Sequence, residues 1–226
     1  MGKEENKMKA VCLLSGGMDS AVTSAIAKDE GYEIHALTFN YGQRNKKEIE
    51  AAKEIAKWLN AKHKILEVNL RQIGGSALTD NIEVPEHGEG IPPTYVPARN
   101  TIFLSFALAY AEVIDADAIF IGVNAIDYSG YPDCRPEYIK AFQNLANLAT
   151  KRSVEGRPIK IITPLLYLSK AEIVRKGYEL NVPFEKTWSC YREGGKACGR
   201  CDSCRLRLKA FKEAGLEDPL EYEFKD

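Results

Sequence analysis

The residues best equipped for chemistry fall into two groups. One is the run Leu14-Ser15-Gly16-Gly17-Met18-Asp19-Ser20, and the other is Cys190, Cys198, Cys201 and Cys204, four cysteines within fifteen residues. Two glycines flanked by hydroxyls make a turn whose backbone N–H groups are left unpaired. Where such a turn opens a helix, those groups and the helix dipole both favour an anion. The run has no Gly-Lys-Ser/Thr and so no lysine for a γ-phosphate, and it is not Gly-x-Gly-x-x-Gly, which disfavours a nicotinamide or flavin site. The C-x7-C-x2-C-x2-C spacing supplies four thiolates, which complete a tetrahedral Zn2+ and leave no vacancy for water. An iron–sulfur cluster is the other metal reading, and unligated thiols the plainest one. Gly194, Gly195 and Gly199 allow the turns that bring the four together. Zinc would add folding free energy on the order of 10 kcal/mol.

These groups need a scaffold, and the hydrophobic pattern supplies one. Lys9 to Leu14 is an unalternating apolar run, as expected of a parallel strand buried on both faces, and it leads directly into the glycine turn and a helix over Ala21 to Lys28. Further strands are expected at Glu33 to Phe39, Lys64 to Val68, Ala118 to Val123 and Ile159 to Ile162. Helices are expected at Lys46 to Leu59, Thr101 to Ile114 and Pro136 to Thr150, with another opened by Ser169 and Glu172 as a capping box. Alternating strands and helices predict right-handed crossovers and a doubly wound, mostly parallel α/β sheet. The division expected is an α/β domain over 1–186, with a cysteine-bearing helical segment over 187–226 packed on it. Long irregular stretches after predicted strands, Gly74 to Asn100 and Asn124 to Arg135, lie where open α/β sheets bind ligands.

Composition narrows the class. The chain has 226 residues, 45% apolar and 28% charged, with a formal net charge of −1. That is globular composition, and it argues against disorder, coiled coil or the wrapping of a long polyanion. From Trp188 to Lys212 seven basic residues face Glu193 and Asp202, and this local excess reads first as a solvated helix face. The apolar stretch Thr101 to Ala111 is too short to span a bilayer, and Met1 to Lys9 lacks the pattern of a signal peptide, so a cytoplasmic protein is expected. His35, His63 and His87 show no catalytic or metal spacing, and Cys12 reads as a small hydrophobe inside the first strand.

The glycine run matches the Ser-Gly-Gly-x-Asp-Ser pyrophosphate loop of enzymes that cleave ATP between its α and β phosphates. Three further segments carry a more specific resemblance: Asn40-Tyr41-Gly42-Gln43-Arg44, Tyr95-Val96-Pro97-Ala98-Arg99-Asn100-Thr101, and Asp127-Tyr128-Ser129-Gly130-Tyr131-Pro132-Asp133-Cys134-Arg135. With the four-cysteine tail they closely resemble the 7-cyano-7-deazaguanine synthase family, in order and over nearly the whole chain. The resemblance implies an adenine nucleotide alpha hydrolase-like, Rossmann-like fold and an ATP-dependent carbon–nitrogen ligase. The ligase would make a nitrile from 7-carboxy-7-deazaguanine and ammonia for queuosine or archaeosine. A carboxylate resists ammonia because oxide would have to leave, so adenylation comes first, ammonia then gives the amide, and a second adenylation on the amide oxygen gives the nitrile.

For the residues, the resemblance implies that Leu14 to Ser20 and Arg44 bind ATP, with Ser15, Asp19, Ser20 and Arg99 in the chemistry. Asp19 would orient Mg2+ or cap the helix, and Arg44 and Arg99 would steady phosphate or carboxylate. Tyr41, Gln43, Asp127, Tyr131 and Asp133 would contact the substrate, a carboxylate reading the guanine-like edge while tyrosines stack. Cys134 is expected to line the pocket. Zn2+ would be structural, one per chain, and the assembly a homodimer with no membrane or direct nucleic-acid partner. The family usually has His where this chain has Asn45, and an amide hydrogen-bonds but does not titrate. Two other readings share these features: a tRNA-modifying thiolase or lysidine-type enzyme, which shares the loop, and a zinc-knuckle nucleic-acid module without catalysis.

Overall fold

The computed structural model describes residues 7–43, 45–80, 91–126, 131–192 and 194–224. Five strands, β1 (Lys9–Leu13), β2 (Glu33–Asn40), β3 (Lys62–Glu67), β4 (Ala118–Phe120) and β5 (Lys160–Ile162), form one sheet in the order β3-β2-β1-β4-β5. Every pair is parallel, with Cys12 opposite both Ala36 and Phe120. The crossovers run through α1 (Met18–Asp29), α2 (Lys47–Leu59), α3 (Arg99–Val113), and α4 (Pro136–Ala149) with the short α5 (Lys151–Val154). Two more helices, α6 (Lys170–Glu179) and α7 (Asp202–Ala214), follow the last strand.

Strand alternation sorts the helices between faces. Val11, Leu13, Leu37 and Ile119 point to one face, where Leu104, Leu108 and Phe142 of α3 and α4 cover them. Ala10, Cys12 and Ala36 point to the other, and small residues there let α1 approach closely. The expected doubly wound sheet is therefore present. The segment expected as an appendage shares its core: Ala210 and Phe211 of α7 lie in one apolar cluster with Val22 of α1, Ile55 of α2 and Ile173 of α6.

Element boundaries differ from the sequence reading in ways that matter locally. α1 begins at Met18, so Met18, Asp19 and Ser20 form a helical first turn. α3 begins at Arg99 after Ala98 adopts a left-handed conformation (φ 53), which turns the chain sharply into the helix. β3 starts at Lys62 and takes in His63, whose Nε2 lies 2.8 Å from Thr38 Oγ1. β4 stops at Phe120, leaving residues 121–126 irregular at the sheet's carboxyl edge. The capping box at Ser169 and Glu172 forms as expected. No helix among the described residues is long and apolar enough to cross a membrane.

Candidate active site

The strand order reverses direction at β1, with β2 and β3 on one side and β4 and β5 on the other. At such a switch point the loops leaving the carboxyl ends diverge and open a crevice. The glycine run sits there, and its hydroxyls close it. Ser20 Oγ accepts from Ser15 N (3.2 Å) and lies 3.1 Å from Ser15 Oγ, while donating to the Gly17 carbonyl at 2.9 Å. Gly16 has φ +86, and a Cβ on it would lie 2.2 Å from the Glu48 carbonyl oxygen, so only glycine lets the loop rest on α2. From the far end of the chain, Trp188 N donates to the Gly16 carbonyl at 2.9 Å. Because α1 starts within the loop, the N–H groups of Met18, Asp19 and Ser20 have no carbonyl four residues back in the helix.

Asp19 does not cap α1. Its Oδ2 receives Lys170 Nζ at 2.5 Å, and Oδ1 is buried without a hydrogen-bond partner among the described residues. Lys170 opens α6, where a cation opposes the helix dipole. Its place is explained by the loop it reaches.

The crevice holds a cavity of about 340 Å3, at the small end of the range for small-molecule sites. Leu13, Leu37, Phe39 and Ile121 form an apolar floor, and one wall is the glycine loop. The opposite wall carries Tyr41, Glu48, Arg99, Tyr131, Cys134 and Tyr191. Phe39 stacks on Phe103 with ring centroids 4.0 Å apart, which anchors β2 against α3 beneath that wall. Arg99 Nη1 donates to Tyr41 Oη at 3.2 Å. Burial pushes the Tyr41 hydroxyl up to about 12, with Arg99 opposing, so it stays protonated. Burial also lifts the Glu48 carboxyl to about 7, with Arg99 pulling it down. Cys134 is raised to about 11, chiefly by burial and then by Asp133; it is a thiol at neutral pH and not a nucleophile in waiting.

Of the residues expected to act, Leu14, Ser15, Gly17, Met18, Asp19, Ser20, Tyr41, Gln43, Arg99 and Tyr131 all line this one cavity. Gly16 shapes it from behind. Gln43 is engaged with its own turn, its Oε1 accepting from Tyr41 N (2.8 Å) and its Nε2 donating to the Phe39 carbonyl (3.2 Å), so it braces Tyr41. Asp133 lies outside the cavity wall: its Oδ2 accepts from Asn100 N at 2.9 Å and holds the first turn of α3, which carries Arg99. Arg44 and Asp127 lie outside the described residues. Asn45 is buried, its Nδ2 donating to the Cys190 and Arg192 carbonyls at 3.2 and 2.9 Å, which ties the start of α2 to the cysteine segment.

The sequence reading passed over Glu48 and Lys170. Glu48 had a signal: it continues the stripe Ala52, Ile55, Leu59 by one turn, and a carboxylate on a buried face calls for explanation. Lys170 had one too, a basic residue at the start of a helix.

The four cysteines converge. Their sulfurs all lie within 4.8 Å of one another and are buried, Cys198 and Cys204 being 3.9 Å apart. A tetrahedral zinc with Zn–S near 2.3 Å places its sulfurs about 3.8 Å apart, so the cluster is compatible with that ion.

The parallel sheet, the glycine loop at its switch point and the adjoining cavity define an α/β fold of the adenine nucleotide alpha hydrolase-like, pyrophosphate-loop class. A solved 4-thiouridine synthetase–RNA complex with bound ATP shares that fold, with a TM-score of 0.53 and 20% identity over 92% of this chain and 50% of that one. The family is settled by sequence: the chain belongs to the family described as queuosine biosynthesis protein QueC, whose model matches residues 9–215. Two 7-cyano-7-deazaguanine synthases, from Acetivibrio thermocellus and Saccharophagus degradans, are each 61% identical to it over 95% of this chain and 97% of their own.

Proposed function

We propose that the chain is an ATP-dependent ligase that converts 7-carboxy-7-deazaguanine and ammonia to 7-cyano-7-deazaguanine, acting in the cytoplasm as a homodimer. The observation that carries this reading is the 61% identity to synthases of that name along essentially the whole chain. The cavity agrees with it, since an anion-binding turn and an aromatic wall face each other across a space of small-molecule size.

The first-turn N–H groups of α1 and the Ser15 and Ser20 hydroxyls would receive the phosphates of ATP, and Lys170 would add positive charge as pyrophosphate departs. Mg2+ fits the oxygen donors here, with Asp19 Oδ1 the buried acceptor without a partner among the described residues; when bound, it would neutralise phosphate charge. Arg99, held by Tyr41, would steady the substrate carboxylate, while Tyr41 and Tyr131 would offer faces for a fused-ring base and Asp127 is the candidate to read its edge. Asp133 serves from behind, by fixing the helix turn that presents Arg99. Zn2+ would be held by Cys190, Cys198, Cys201 and Cys204 as a closed structural site. The carboxylate attacks the α-phosphorus, pyrophosphate leaves, and ammonia displaces AMP to give the amide. A second adenylation then lets AMP carry off the amide oxygen and leaves the nitrile.

The test is mass spectrometry of products from 7-carboxy-7-deazaguanine, ammonium and Mg-ATP. Nitrile with two AMP per turnover is expected. AMP without nitrile would move the search to another acceptor, and no ATP cleavage would refute the ligase reading.

A further inference from the structure

Ammonium has no lone pair with which to attack an acyl carbon, and at neutral pH almost all dissolved ammonia is ammonium. A site that uses it therefore needs a base near the acyl group, shielded enough to prefer the proton. Three carboxylates in or beside the cavity have described side chains. Asp19 is held by Lys170, and Asp133 is turned onto the start of α3. Glu48 differs: among the described residues its carboxylate has no hydrogen-bond or ion-pair partner, yet it lines the cavity.

Its position is fixed from two sides. The backbone of Glu48 supports the glycine loop, with its carbonyl where a Gly16 Cβ would fall, so the residue stands in register with the place where ATP is cleaved. Its side chain lies near enough to Arg99 and Tyr41 to influence the titration of both. Tyr131 and Tyr191 line the same cavity. The charged and titratable groups that line the cavity with this carboxylate thus include Arg99, Tyr41, Tyr131, Tyr191 and Cys134, together with the Asp19–Lys170 pair of the loop. Arg99 donates to Tyr41 at 3.2 Å, favours the charged form of Glu48 from a distance, and in the ligase reading holds the substrate carboxylate.

We propose that Glu48 is a catalytic residue that binds ammonium and serves as the general base for its attack on the acyl adenylate. The inference deepens the ligase reading and rests on it. The carboxylate takes one proton from ammonium, and the freed nitrogen pair forms the C–N bond. The C–O bond to AMP breaks with its electron pair leaving on the phosphate oxygen, and the surplus proton on nitrogen passes to water. A carboxyl lifted toward neutrality by burial, as this one is, accepts a proton far better than an exposed glutamate.

Hydroxylamine separates this role from the others, because it is a neutral nucleophile at neutral pH and captures acyl adenylates as hydroxamates without a base. The experiment compares wild type with Glu48→Gln for substrate-dependent ATP–pyrophosphate exchange, hydroxamate formation and ammonium-dependent amide formation. Exchange and hydroxamate formation should persist in the variant, which also shows that it folds, while the ammonium reaction falls by about 10²–10⁴-fold. That loss should shrink as pH rises and free ammonia becomes abundant. Glu48→Asp, which keeps the carboxylate, should retain much of the ammonium reaction. An unchanged ammonium rate in Glu48→Gln, or equal loss of hydroxamate and amide, would overturn the proposal. Wild-type protein lacking exchange altogether would instead overturn the ligase reading and the proposal with it.

Discussion

The strongest stability prediction concerns a buried charge pair. Arg207 on α7 and Asp218 beyond it have side chains only 2% and 1% exposed. They form a two-pronged pair, Nε to Oδ2 at 2.8 Å and Nη2 to Oδ1 at 2.9 Å. Arg207 also donates to Thr187 Oγ1 and the Phe184 carbonyl, and Asp218 accepts from Tyr222 Oη and Leu220 N. Asp218→Ala removes the acceptor and strands a guanidinium, a change that costs about 3–5 kcal/mol. Against a total stability of about 5–15 kcal/mol this is about a fifth at least, and in a marginal fold nearly all of it. At about 2–4 °C per kcal/mol for a chain this long, the melting temperature should fall by roughly 6–20 °C. Calorimetry and urea titration read both quantities. The double variant Arg207→Met with Asp218→Leu should recover most of the loss, because it leaves no unpaired charge. Thr187 precedes Trp188, whose N–H holds Gly16, so Asp218→Ala should also raise KM for ATP below its melting temperature. A loss below about 1 kcal/mol would refute the reasoning, for it would mean that water reaches the guanidinium once Asp218 is gone.

Gly16→Ala should abolish ATP–pyrophosphate exchange while leaving the circular dichroism spectrum intact, since its Cβ would lie 2.2 Å from the Glu48 carbonyl and the loop must lift off α2. Measurable exchange above a tenth or so of wild type would show that the loop need not rest there. Metal analysis should find zinc in the purified protein; a strong chelator should strip it with a large fall in thermal stability, and Cys201→Ser should mimic that fall. Burial lowers the pKa of His35 and of His63, so both favour the neutral form in the fold. Their contribution is complete above the unfolded value of about 6.5 and is lost as pH falls below it, because the unfolded chain takes up protons first. Glu48, raised toward 7, works the other way over the same range. Urea unfolding of His63→Gln against wild type isolates the histidine: the variant should lose less stability between neutral and mildly acidic pH, and an identical loss would count against the reading.

How much of this could be read from sequence depends on whether a residue's role is set by its neighbours along the chain or by distant contacts. The glycine run, the β–α alternation and the capping box at Ser169 are local, and each forms close to where the pattern puts it. The cysteine cluster was readable because metal-ligand spacing is itself a local code. Asp133 shows the opposite case. A carboxylate in a loop rich in tyrosine suits a base-reading role, yet the backbone it serves, Asn100 N, lies 33 residues away and opens α3 only because Ala98 turns left-handed. Gln43, expected from the resemblance to contact the substrate, is engaged by the turn through Gly42, which brings Tyr41 N and the Phe39 carbonyl within its reach. Glu48 and Lys170 reverse the lesson, since each breaks a local rule. One places a carboxylate on the buried stripe of α2, and the other a cation at the positive end of α6. Such violations call for a reason elsewhere in the fold, and here both point to the cavity: Lys170 reaches the loop aspartate, and Glu48 lines the cavity with the charge of Arg99 set against its burial. A residue that opposes its own helix is therefore a better pointer to this site than a polar residue that suits its loop.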